Sequence, residues 1–100
     1  MDNPRIKTPY GELLGIRTEN GGEAYLGIPY AKPPVDELRW KPPQRLEPSD
    51  AQIDCTSLGY SAMQKFDPVM AASQRPQSED CLTLNVWVSD SSKKNLPVMV

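Results

Sequence analysis

Histidine is absent from this chain of 100 residues. Without it there is no His-ligated metal site, and no Ser-His or Cys-His dyad can be built from these residues alone. Cysteine is scarce: two residues, Cys55 and Cys81, are too few for a four-cysteine zinc site or a disulfide-rich scaffold. Large apolar side chains are scarce too, with one Phe and two Trp to set against the entropy of ordering the chain. Apolar runs extend over a few residues at most, so no segment has the length of a membrane-spanning helix. The first residues, Met1 to Arg5, contain no apolar stretch of the kind that forms a secretory leader. We therefore expect a cytoplasmic protein, or one whose leader has been removed. Lys and Arg number 11 and Asp and Glu 13, a net charge of −2, with both signs dispersed. That distribution argues against a nucleic-acid groove and against a basic membrane-binding face.

Proline, in contrast, is abundant at 11 residues, about twice its usual ~5% share. Six of these fall between Pro29 and Pro48. They exclude a helix or a central strand there and predict an extended strap. No two prolines are spaced Pro-x-x-Pro, so the strap does not read as a ligand for an SH3 domain. Its plain role is a rigid connector that carries Leu38 and Trp40 onto a core. Trp40 and Trp87 read as core anchors rather than as ligand-stacking residues.

Before the strap, Ile6 to Thr8 is extended. Two semi-alternating runs flank Asn20-Gly21-Gly22, and they predict a β-hairpin with strands over Leu13–Arg17 and Ala24–Ile28. After the strap, Ile53 to Ser57 is a short strand candidate. Gly59 to Pro76 reads as loop, with one helical turn around Pro68 to Ala72. Leu82 to Val88 alternates cleanly and is the clearest strand. Asp90 to Asn95 is a polar turn. Leu96-Pro97-Val98-Met99-Val100 opens an apolar strand of the kind covered on both faces in an α/β sheet. Such a sheet requires crossover helices, and no amphipathic helix pattern is present. On these grounds we expect the chain to be the front part of a larger α/β protein, ending inside a sheet strand.

Three segments carry a resemblance to a known family. They are Gly27-Ile28-Pro29-Tyr30-Ala31-Lys32-Pro33-Pro34, Leu38-Arg39-Trp40-Lys41-Pro42-Pro43, and Ser78-Glu79-Asp80-Cys81-Leu82-Thr83-Leu84-Asn85-Val86-Trp87. In content, order and spacing the chain resembles the type-B carboxylesterases of the α/β-hydrolase fold, relatives of the cholinesterases. It is most similar in flavour to para-nitrobenzyl-esterase-like enzymes. Ser89 departs from the pattern, which usually has Pro, Gln or Arg there.

The resemblance implies an α/β fold in which residues 1–100 are the N-terminal, β-rich part of one hydrolase domain. That part consists of a small antiparallel hairpin sheet plus the first strands of the central mixed sheet. It further implies a serine esterase acting on small or aromatic carboxylic esters, with no cofactor and no metal. Nucleophile, histidine and oxyanion loop would all lie beyond Val100, so this chain would hold no catalytic residue and would be inactive alone. Gly59-Tyr60-Ser61-Ala62-Met63 lacks the final glycine of a nucleophile elbow, and Ser61 reads as a loop serine.

Site residues follow from the same resemblance. Arg39 and Glu79 would form a structural salt bridge, partly buried and bidentate, tying the strap to the start of the strand. Glu79 and Asp80 are adjacent and point to opposite sides of an extended chain, so they cannot act together as a catalytic pair. Phe66 and Met70 would lie at the rim of the substrate gorge or simply pack their loop down. Ala71 stands where cholinesterases carry a quaternary-ammonium-binding Trp, which removes a choline site. Ala62 stands where the partner of the motif cysteine would be. Cys55 and Cys81 are therefore expected to be free, with Cys55 a small buried residue, in keeping with a reducing compartment. Expected partners are an ester substrate and the remainder of the hydrolase domain, or a second copy of the chain, with neither nucleic acid nor membrane. A non-catalytic, cholinesterase-like adhesion or binding domain is the competing reading.

Overall fold

The alternating run before Asn20 does not form one strand. It divides at Gly15, and the computed structural model, which describes residues 2–69 and 75–100, sends the two halves into different sheets. Strand β1 (Arg5–Thr8) pairs antiparallel with β2 (Gly11–Leu14), placing Ile6 opposite Leu13. Strand β3 (Ile16–Arg17) pairs antiparallel with β4 (Glu23–Pro29), placing Ile16 opposite Ala24. The hairpin around Asn20–Gly22 is thus present, but Leu13 and Leu14 are not part of it. Gly15 explains the division. A Cβ at this position would lie 2.6 Å from the Ala24 carbonyl oxygen and 2.7 Å from the Tyr25 ring. A residue with no side chain lets the backbone cross over the core at that distance.

Strand β5 (Gln52–Asp54) adds to β2 in parallel, with Ile53 opposite Leu13, completing a mixed sheet in the order β1-β2-β5. Strand β6 (Thr83–Val88) adds antiparallel to β4, giving the order β3-β4-β6. The register between β4 and β6 shifts between Tyr25 and Ile28. Gly27 takes up the shift with φ +69°, and a Cβ there would stand 2.9 Å from the Ser57 carbonyl oxygen. Pro29 closes β4, although prolines of this stretch were expected to exclude strand. Tyr30 N donates to Leu82 O at 3.2 Å, so the missing Pro29 N–H falls on the opposite edge. The short β3 does not reach that far, and the edge is one where proline is tolerated.

Between Ala31 and Ala51 the chain is extended apart from one 3₁₀ turn at Asp36–Leu38, which fits between Pro34 and Pro42. The strap is tied down at several points. Lys32 N donates to Gln44 O and Ser49 N to Pro9 O, both at 3.0 Å, and Lys32 Nζ meets Glu47 Oε1 at 3.0 Å.

The core lies where the two sheets meet. Leu13, Tyr25 and Cys55 are buried, with Ile28 and Ile53 packed against them. Cys55 links the sheets through its backbone: its N donates to Leu14 O and its O accepts from Leu26 N, each at 2.8 Å. Within these 100 residues the two tryptophans are not buried, against the core role expected of them. Trp40 is 88% and Trp87 64% exposed. Trp87 sits on edge strand β6, and Trp40 projects from the strap just after the 3₁₀ turn, with φ +67°. Residues 96–100 were expected to form a strand. Among the described residues they pair with none, and Val98, Met99 and Val100 are fully exposed or nearly so. Of the helical turn expected at Pro68 to Ala72, Met70 to Ala72 lie outside the described residues.

Candidate functional site

The residues singled out from the motifs meet at the junction of the strap and β6. The 3₁₀ turn is closed by Arg39 N donating to Asp36 O at 3.2 Å, and this turn delivers Arg39. A tight turn before β6, with Cys81 N donating to Glu79 O at 3.0 Å, presents Glu79. Arg39 Nε contacts Glu79 Oε1 directly. The contact includes the guanidinium Nε, and both side chains are substantially exposed. The same guanidinium lies 5.3 Å from the centre of the Trp40 ring, a cation-π distance. An exposed pair of this kind contributes about 0–1 kcal/mol. Its effect is positional: it joins residues forty apart in sequence.

Phe66 is 71% exposed, on the loop between Ser61 and Gln77. That loop is closed at its neck by Ser61 N to Pro76 O at 2.9 Å and Ser78 N to Ser61 O at 3.0 Å. Met70 and Ala71 lie outside the described residues. Asp80 is exposed, and Ser61 serves the loop neck with its backbone. No group of three potential metal ligands occurs among the described residues.

Cys55 and Cys81 are not bonded to each other. Burial pushes the Cys55 thiol above its usual range, and the charge of Asp54 adds to the effect. Cys55 is therefore a poor nucleophile and serves as packing.

One buried polar group went unread in the sequence. Glu23 is buried, with Oε1 accepting from Tyr25 Oη at 2.8 Å and Oε2 lying 3.4 Å from an Arg17 guanidinium nitrogen. Burial, then the hydrogen bond to Glu23, pushes the Tyr25 phenol up to about 12. The signal available beforehand was the i, i+2 spacing of Glu23 and Tyr25 on one strand face, opposite Arg17. The arrangement locks the root of the hairpin and offers no reactive group.

Comparison with known proteins bears on the whole chain. A model of the carboxylesterase family matches residues 2–100. The para-nitrobenzyl esterase of Bacillus subtilis is 43% identical over 102 residues, covering all of this chain and 21% of that protein. The acetylcholinesterase of Bungarus fasciatus is 32% identical over 107 residues, covering 96% of this chain and 18% of that protein. A solved thermophilic PNB esterase superposes with a TM-score of 0.82 at 39% identity, covering 95% of this chain and 20% of that one. EstA of Aspergillus niger gives a TM-score of 0.72 at 30% identity, covering 88% and 17%. The chain thus spans about a fifth of the length of the curated relatives it matches. Its two small sheets are the β-rich start of an α/β-hydrolase fold, and by the family match over residues 2–100 the chain belongs to the carboxylesterase family.

Proposed function

We propose that residues 1–100 are the scaffold and gorge-rim portion of a serine carboxylic-ester hydrolase acting on small or aromatic esters. The observation that carries this reading is the family match over residues 2–100, which takes in both motifs joined by the Arg39–Glu79 pair. The chemistry is acyl transfer: a serine attacks the ester carbonyl, a histidine moves the proton, and backbone amides hold the oxyanion. General-base activation of a serine needs a positioned base, and these 100 residues include no histidine. We therefore assign the nucleophile and base to the remainder of the domain, which would also cover the apolar surfaces of β6 and of residues 96–100. Exposed Phe66 and the loop that bears it are assigned to the gorge rim, with Met70. The free thiols of Cys55 and Cys81 support a reducing, cytoplasmic setting.

The test is to isolate the native polypeptide that contains this sequence and treat it with a serine-directed fluorophosphonate. The expected result is one labelled serine outside residues 1–100, with turnover of a short-chain nitrophenyl ester that the label abolishes. Residues 1–100 alone should show no turnover above background. A native polypeptide that takes no label would replace this reading with a non-catalytic binding domain. A label on Ser61 or another serine within the chain would overturn the assignment of the chemistry.

A further inference from the structure

The side of the molecule bearing the strap has a groove of about 300 Å³ lined by Tyr10, Pro29, Tyr30, Arg45 and Leu46. Three elements build it: the β1–β2 turn supplies Tyr10, the end of β4 supplies Pro29 and Tyr30, and the strap supplies Arg45 and Leu46. Its walls are fixed by the backbone. Lys32 N to Gln44 O and Ser49 N to Pro9 O, each 3.0 Å, pin the strap on both sides of Arg45. Tyr30 N is held by Leu82 O at 3.2 Å. The acid nearest in sequence, Glu47, is already paired with Lys32. Arg45 forms no ion pair among the described residues, and the Tyr10 and Tyr30 hydroxyls make no hydrogen bond there.

An arginine with no ion pair among the described residues, lining one groove with two tyrosines, a proline and a leucine, has a definite preference. The guanidinium fork matches a carboxylate. The tyrosine rings favour a flat aromatic body, and their hydroxyls add donors at its edge. The volume is at the lower end of small-molecule sites, which limits the ligand to one ring. We propose that this groove is a binding site for a small aromatic carboxylate, with Arg45 holding the carboxylate and Tyr10 and Tyr30 flanking the ring. The site stands apart from the Arg39–Glu79 junction and does not depend on the esterase reading.

Arginine-selective modification tests it on the native polypeptide, residue by residue. The polypeptide is treated with phenylglyoxal with and without benzoate, and modified peptides are quantified by mass spectrometry. Arg75, exposed and unpaired among the described residues, is the internal control. Benzoate is expected to protect Arg45 and not Arg75, with half-protection in the low millimolar range. Acetate should need about fivefold more, because it lacks the ring, and benzyl alcohol should not protect. Tyr30→Ala should raise the benzoate requirement by a similar factor, while Tyr30→Phe should retain most of the protection. Equal protection of Arg45 and Arg75, equal potency of acetate, or an Arg45 that reacts alike with and without benzoate would each overturn the proposal. So would an Arg45 that never reacts in the native polypeptide, since the groove would then be filled by the protein itself.

Discussion

Strands β4 and β6 lie side by side, both are apolar and both are well paired, yet they meet different fates. In β4, Ala24 and Tyr25 are 1% exposed. In β6, Leu84, Val86 and Trp87 are 42%, 40% and 64% exposed. Pairing alone does not make a core; a second layer does. Next to β4 stand Gly15, β2 and the backbone of Cys55, close enough to seal the Tyr25 ring. Strand β6 is an edge with no layer against its face among the described residues. Within these 100 residues, burial is decided by which strand faces the other sheet, not by how apolar a strand is.

The contrast is broken most severely by removing the one large side chain in the seal. Tyr25→Ala should destabilise the fold by about 3–5 kcal/mol, the cost of an aromatic truncated in a core, read as loss of the unfolding transition. Gly15→Ala tests the same seal from the other side. Its new methyl would meet the Ala24 carbonyl oxygen at 2.6 Å, and we expect a loss of about 1–3 kcal/mol in urea unfolding. A neutral result would show that the two sheets can separate freely.

Titration sharpens the comparison further. The Tyr25 phenol is raised from 10.0 to about 12 in the folded state. A raised pKa means that the contribution is complete below pH 10 and is lost as the pH climbs through about 12. Thermal stability should therefore fall over that window. Tyr25→Phe should flatten the fall, while costing about 1 kcal/mol at neutral pH for the lost hydrogen bond to Glu23. Equal alkaline slopes in the two proteins would remove Tyr25 from the account.

Two smaller effects belong to the exposed region. Glu79→Gln should cost no more than about 1 kcal/mol, because the pair with Arg39 is open to solvent. A double-mutant cycle with Arg39→Gln measures the coupling. Met99→Ser, at 97% exposure, should change the stability of residues 1–100 by less than about 0.5 kcal/mol. A large loss would mean that this apolar end is covered in solution by a second copy.

Much of this was legible from residues alone. The turn at Asn20–Gly22, the strand beginning after Cys81 and the extended course of the strap follow from local rules of turn chemistry, alternation and proline. The approach of Arg39 to Glu79 was readable through the three motifs, because both residues belong to segments whose order and spacing are shared with a family. Harder to read was the partition at Gly15. Leu13 through Arg17 has the pattern of one strand, and nothing local reveals that a tyrosine ten residues later occupies the space beneath the glycine. The tryptophans misled for a related reason: a large apolar side chain signals a need for cover, and cover is supplied by other elements.

The sequence by itself determined the family, the absence of histidine from these 100 residues, the position of the hairpin turn and the proline-stiffened strap, since each depends on residue type at short range. The tertiary structure decided that both tryptophans stay exposed within these residues, that Glu23 is buried against Tyr25, and that Arg45 and two tyrosines line one groove. Those outcomes depend on distances between segments remote in the chain, and such distances are set by packing two sheets against each other.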